Sequence, residues 1–210
     1  MRTTSFLFLL AVGSNFVFAQ KSVTPDPVLV QIDSQIDSLS HIADSYPPDI
    51  NPEDSTAVQA AVAFCDHIVD QLEALLKNES GNAGLHRRLG EVFRMGHNLN
   101  IKGAGQNAVE HLTTAIKLDP SDPDAYFSLG LFYVNANFEF APEAEQMFRK
   151  ALELSPEGSP SYAYQGLAFA YYYQGKMEES VMAWHIFLSL HPDSESAKNL
   201  LKIALGKLSH

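Results

Sequence analysis

Apolar residues recur three and four positions apart along most of the chain, which is the spacing of one face of an α-helix. Leu29, Ile32, Ile36, Leu39, Ala43 and Tyr46 follow each other at intervals of 3, 4, 3, 4 and 3, and predict a narrow amphipathic helix over 28–46 with Asp and Ser on its other face. Val58, Val62, Cys65, Ile68, Val69, Leu72, Leu75 and Leu76 mark a second helix over 55–77. Together the two predict a degenerate helical hairpin. Near the C-terminus, Ala197, Leu200, Leu201, Ala204, Leu205 and Leu208 predict a last helix over 194–208 with lysines between its apolar positions.

Between these flanks one pattern occurs three times. Ala115-Ile-Lys-Leu-Asp-Pro120, Ala151-Leu-Glu-Leu-Ser-Pro156 and Phe187-Leu-Ser-Leu-His-Pro192 close alike, with the prolines 36 residues apart. The same interval links Ala108, Ala144 and Ser180, and links Leu112, Phe148 and Trp184. Upstream of each set stands a second similar element: Leu89-Gly90 with Phe93, Leu129-Gly130 with Tyr133, and Leu167-Ala168 with Tyr171. Each copy reads as two helices, with Leu129, Phe132 and Tyr133 on the first of the middle copy and Ala144, Met147, Phe148, Ala151 and Leu152 on the second. Asp122 before Pro123, and Ser159 before Pro160, are placed to cap first helices, and Gly175 to turn between two. A small residue at 90, 130 and 168 lets paired helices approach closely. The spacing within the first copy is the longest, and predicts a loop over Gly96–Gln106.

This pattern resembles the tetratricopeptide repeat family: a large apolar residue, Leu-Gly, an aromatic, then small, aromatic, small, and a closing proline. It covers about residues 83–192. The resemblance implies an all-α, right-handed α-solenoid of helix-turn-helix repeats, with an N-terminal helical extension and a C-terminal helix that caps the array. The expected organisation is 20–52 as an acidic leader with the first amphipathic helix, 53–82 as a helix packed on the first repeat, repeats over 83–120, 121–157 and 158–192, and the cap over 193–210. Residues 1–19 carry Arg2, the apolar stretch Phe6–Val12 and the small-residue ending Val17-Phe18-Ala19, and are expected to be a secretory signal cleaved after Ala19. Gly13-Ser14-Asn15 interrupts that stretch too early for a membrane span, and no cysteine follows it to accept a lipid. The mature chain is therefore expected to be secreted or periplasmic, with no membrane span.

Charge and chemistry narrow the function. Fourteen Lys and Arg stand against 25 Asp and Glu, a net charge of −11, and no basic run exists to neutralise phosphates, so nucleic acid is not an expected partner. The single cysteine, Cys65, excludes an internal disulfide, a CxxC motif and a thiolate zinc site, and reads as a small core residue. The eight histidines show no pair at i, i+4 on one helix and are expected at surface or boundary positions without a metal. No nucleophile elbow and no phosphate loop is present, so neither an enzyme nor a cofactor is expected.

In the family that the chain resembles, first helices line a concave groove that binds proteins. Carried onto this sequence, the groove positions are Arg87, Glu91 and Arg94, then Phe127, Leu131 and Asn135, then Gln165, Phe169, Tyr172 and Tyr173. The resemblance thus implies a groove charged at one end and aromatic at the other, for a peptide or helix of a partner protein. The carboxylate clamp of some relatives is not expected: Arg87 would serve one position, but Glu91, Ser128, Tyr162 and Gly166 occupy the others. Two arrangements remain open, a free groove or one whose aromatics are covered by helix 28–46 or by the C-terminal helix. Asn98-Leu-Asn100-Ile101 and Asn135-Ala-Asn137-Phe138 align, and suggest a shared turn held by asparagine side chains rather than a functional loop. The competing functions are a homo-oligomer joined through helix 28–46 or the repeat ends, and an anion site built from Lys102 with Arg87 and Arg94.

Overall fold

The computed structural model describes residues 26–44, 48–51, 53–155 and 161–208. Among them there is no strand, and nine α-helices follow one another: α1 (Pro27–Ala43), α2 (Ser55–Leu76), α3 (Ala83–Asn98), α4 (Ala104–Leu118), α5 (Pro123–Ala136), α6 (Ala141–Leu154), α7 (Ala163–Tyr173), α8 (Met177–Leu190) and α9 (Glu195–Leu208), with one 3-10 turn, Phe138–Phe140, between α5 and α6. The expected signal segment, Tyr46 and the Ser159-Pro160 cap lie outside the described residues.

The starts of several helices are written locally. Free N–H groups of a first turn need acceptors. Asp26 accepts from Val28 N at 2.9 Å, Asp54 from Thr56 N and Ala57 N, Asn82 from Leu85 N, and Asp122 from Asp124 N. Pro27 and Pro123 hold the first helical position, where a missing N–H costs nothing. Gly175 turns the chain between α7 and α8 at φ 75°, as its sequence context predicts.

Consecutive helices pair as antiparallel hairpins, α3 with α4, α5 with α6 and α7 with α8, and each hairpin leans on the next. The helices α1 and α2 pair in the same way, with α1 beside α3 as α3 stands beside α5. The degenerate N-terminal hairpin is therefore a full layer of the stack. The register of the repeat explains the packing: Ala108, Ala144 and Ser180 are fully buried, and Leu112, Phe148 and Trp184 are the large side chains beneath them. A Cβ on Gly130 would stand 2.8 Å from the Phe148 ring, and one on Gly90 would overlap Leu112, so glycine is required at both positions. Gly166 has the same role toward Phe148 from α7, where a Cβ would overlap the ring. One aromatic ring thus fills the space between two glycines and locks three helices.

One expectation is corrected. The loop over Gly96–Gln106 is mostly helix: α3 runs to Asn98, α4 starts at Ala104, and the connector is 99–103, with Asn100 and Gly103 at positive φ. The extra length enters the helices because Met95, Gly96 and Asn98 are buried and Ala104 packs against the other side of the turn. The C-terminal helix α9 packs on α8 as the expected cap, with Ala197 and Ala204 buried and Leu200 and Leu201 against the same core as Trp184 and Phe187, while Met182, Ile186 and Leu190 of α8 stay exposed.

Candidate functional site

The helices α1, α3, α5 and α7 stand side by side and line one cavity of about 680 Å³. Nine of the ten groove residues named from the sequence border it: Arg87, Glu91 and Arg94 from α3, Phe127, Leu131 and Asn135 from α5, and Gln165, Phe169 and Tyr173 from α7. Tyr172 is not among the lining residues; it is half-buried beside Tyr173, with ring centroids 5.9 Å apart.

The charged end is built as a network. Arg87 Nη1 donates to Glu91 Oε1 at 2.8 Å, its Nε stands 3.2 Å from Asp122, and Ser128 Oγ donates to the same Glu91 oxygen at 3.1 Å. Burial pulls the Arg87 guanidinium down, and the carboxylates of Glu91, Asp122 and Asp124 outweigh it, so its pKa lies above the usual arginine value. Arg94 is 4% exposed; its Nη2 meets Asp44 Oδ1 at 2.5 Å and its Nη1 donates to the Asp44 carbonyl at 3.1 Å. Among the described residues the buried Nε of each arginine makes no hydrogen bond, the approach of Arg87 Nε to Asp122 being an ion pair only. Lys102 is exposed on the α3–α4 connector and does not line the cavity. The anion site proposed from Lys102, Arg87 and Arg94 is therefore not assembled, because both arginines already face carboxylates.

The aligned asparagines act on a different partner from the one expected. Asn98, fully buried, donates from Nδ2 to Ala43 O at 2.9 Å and Asp44 O at 3.2 Å, and Asn135 Nδ2 reaches the Asp44 carbonyl at 3.5 Å. With Arg94 they gather the free carbonyls at the C-terminal end of α1, a helix end whose acceptors have no partners within the helix. Asn137 alone serves its own turn, accepting from Glu139 N at 3.1 Å.

Sequence reasoning missed the contribution of α1, which brings Ile36, Asp37, Ser40 and Asp44 to the wall. The signal existed: once helices 28–46 and 55–77 are read as a hairpin, the rule that first helices line the groove selects residues at 36–37, 40 and 44. Met95, Asp124 and Val134 were missed as well, whereas Ser128, Tyr162 and Gly166, noted from the sequence only as occupants of clamp positions, do line the cavity. The aromatic end is neither roofed by α1 nor touched by α9: α1 stands against α3, and no residue of α9 lines the cavity. The α1 seam suggested for dimerisation is covered within the chain, since Ile32, Ile36 and Leu39 pack against α2 and α3.

The histidines also pair in space rather than in sequence. His86 and His111, on α3 and α4, stand with their Nδ1 atoms 3.0 Å apart, and His86 Nε2 lies 3.1 Å from Ser80 O. Among the described residues no group of three or more His, Cys, Asp or Glu is arranged to hold a metal ion. No helix among them is long and apolar enough to cross a membrane.

Stacked hairpins with a small residue under each large one, and first helices lining one face, define a tetratricopeptide-repeat fold. The TPR repeat family model matches residues 96–136, from the end of α3 through α5. A thermophilic TPR protein of Thermus thermophilus superposes with a TM-score of 0.56 over 84% of this chain and 92% of that one, at 18% identity. A tetratricopeptide repeat protein of Parabacteroides merdae superposes with a TM-score of 0.55 over 86% of this chain and 68% of that one, at 16% identity. No curated protein matches the sequence. A TPR repeat is thus matched over residues 96–136, and the chain as a whole has the all-α solenoid fold of these solved TPR proteins; repeats of this kind generally mediate protein–protein interaction.

Proposed function

We propose that the chain is a non-catalytic adaptor of the cell envelope or extracellular space that takes a peptide or helix of a partner protein into the cavity between α1, α3, α5 and α7. The observation that carries this reading is the unroofed apolar wall of Phe127, Leu131, Val134 and Phe169 facing a charged wall, a layout with anchors at one side and polar specificity at the other. Half-buried aromatic and aliphatic side chains of this kind supply most of the energy of a docked segment. Self-association is the weaker alternative, because the seam of α1 is internal to the chain. The envelope location rests on residues 1–19, and mature material is expected to begin at Gln20.

The test is crosslinking capture with the chain from Gln20, compared with Leu131→Ala combined with Phe169→Ala. Loss of two central anchors is expected to weaken capture of the partner at least about tenfold. Undiminished capture by a folded double variant would remove the cavity from consideration.

A further inference from the structure

The charge around the cavity selects among peptides. Two guanidinium groups, Arg87 and Arg94, face the four lining carboxylates Asp37, Asp44, Glu91 and Asp124. Among the described residues no lysine lines the cavity. Asp122, which sits on Arg87 from outside the lining, adds a fifth carboxylate to the same set. Both guanidinium groups are already engaged, Arg87 by Glu91 and Asp122, and Arg94 by Asp44. Asp37 on α1 and Asp124 on α5 are exposed, and among the described residues neither stands in an ion pair. They leave the polar end with an excess of negative charge, in a chain whose net charge is already −11.

An entering carboxylate, whether a side chain or a chain terminus, would meet like charge at Asp37 and Asp124 and, among the described lining residues, would find no free cation to receive it. An entering ammonium or guanidinium group would meet opposite charge at both. The adjoining wall of Phe127, Leu131 and Phe169 accepts only an apolar or aromatic side chain without leaving a polar group unpaired. We infer that the occupant is a cationic and apolar segment of a partner protein: Lys or Arg residues seated toward Asp37 and Asp124, with a neighbouring Leu, Phe, Tyr or Trp on the Phe127–Leu131–Phe169 wall. This inference rests on the reading that the cavity receives a peptide. Complementary charge of this kind sets partner choice and association rate, and it weakens with salt.

Panning a phage library of random nine-residue peptides on the immobilised chain from Gln20 tests this. Enriched peptides are expected to carry net positive charge and to pair Lys or Arg with a large apolar residue. As labelled synthetic peptides, they are expected to bind about threefold to tenfold more weakly to the Asp37→Asn, Asp124→Asn double variant, as loss of two exposed ion pairs implies. Their affinity should also fall as salt rises from 50 to 500 mM. Both aspartates are exposed, so the variant is expected to keep the helical circular dichroism of the parent. Enrichment of acidic or neutral peptides, or indifference of the selected peptides to the double variant, would overturn the inference. If such peptides still lose affinity with Leu131→Ala and Phe169→Ala, the cavity stands and only its charge preference falls. Indifference to both pairs of substitutions, or no enrichment over a control protein, would overturn the cavity reading as well.

Discussion

Cys65 shows how one position is set by what closes around it. The thiol lies 2% exposed in the core of α1, α2 and α3, with its Sγ 3.6 Å from the Val92 carbonyl. Burial, with a smaller push from the Asp66 carboxylate, raises its pKa to about 12. The thiolate is the reactive form, so at neutral pH the folded chain presents almost none. The native protein is expected to stay unmodified by a thiol-specific disulfide reagent at pH 7.5 over hours and to react fully in urea; rapid native labelling would mean that the α2–α3 contact opens readily. The sequence showed Cys65 as an apolar-stripe residue, and its depth was legible from spacing alone. The pairing of His86 with His111 was not, because 25 residues separate them and only the α3–α4 hairpin brings their rings together.

At the scale of the element, helix pairing depends on a few contacts where backbone meets a ring. Phe148 of α6 is fully buried between Gly130 of α5 and Gly166 of α7. A methyl group added at 166 would press into the ring from a helix that is itself wedged against α6 and α8, leaving the ring nowhere to move. Gly166→Ala is expected to destabilise by about 1–3 kcal/mol through overpacking, although alanine by itself favours a helix by roughly 1 kcal/mol over glycine. Chemical denaturation reads the net loss; a stability equal to or above that of the parent would show that the Phe148 ring has room to shift. The repeat alignment identified Gly130 by its place in the Leu-Gly pair. It did not identify Gly166, since the close approach of α7 to α6 is a contact between repeats and not within one.

For the whole molecule, stability depends on pH through the groups whose protonation changes on folding. Burial, and then the neighbouring His86, lower the pKa of His111 below the ordinary 6.5, and they outweigh the opposite pull of Glu110 and Glu73. The unfolded chain therefore takes up a proton at His111 before the folded chain does. The stability this residue contributes is complete above about pH 6.5 and is lost as pH falls through that value toward the lower folded one. Glu145 acts in a more acidic window: burial raises its pKa, but Lys176, Gln174 and Arg149 outweigh this and hold it below 4.5, so its contribution is lost as pH falls below that value. Thermal melts from pH 7.5 to 5.5 are expected to show a steeper fall for the parent than for His111→Gln; parallel profiles would show that the pair does not couple to folding.

How much of this protein was legible in its sequence follows from the range of the forces involved. Helix starts, turns and the face each helix buries depend on residues within about one turn of each other, so Asp122 with Pro123, Gly175 and the 36-residue register determined the hairpins and the solenoid before any coordinate. The groove positions implied by the family resemblance, carried along the register, brought nine of the ten chosen residues to one cavity, because a repeated unit repeats its exposed face. Only the tertiary structure decided that α1 forms the fourth wall, that Arg94, Asn98 and Asn135 converge on its last carbonyls, and that both arginines are already matched by carboxylates. The contacts of Arg94, Asn98 and Asn135 join residues 50 to 91 positions apart, where no local periodicity acts and only the packing of whole helices sets who meets whom; the Arg87–Glu91 pair alone, one turn apart on α3, lies within local range.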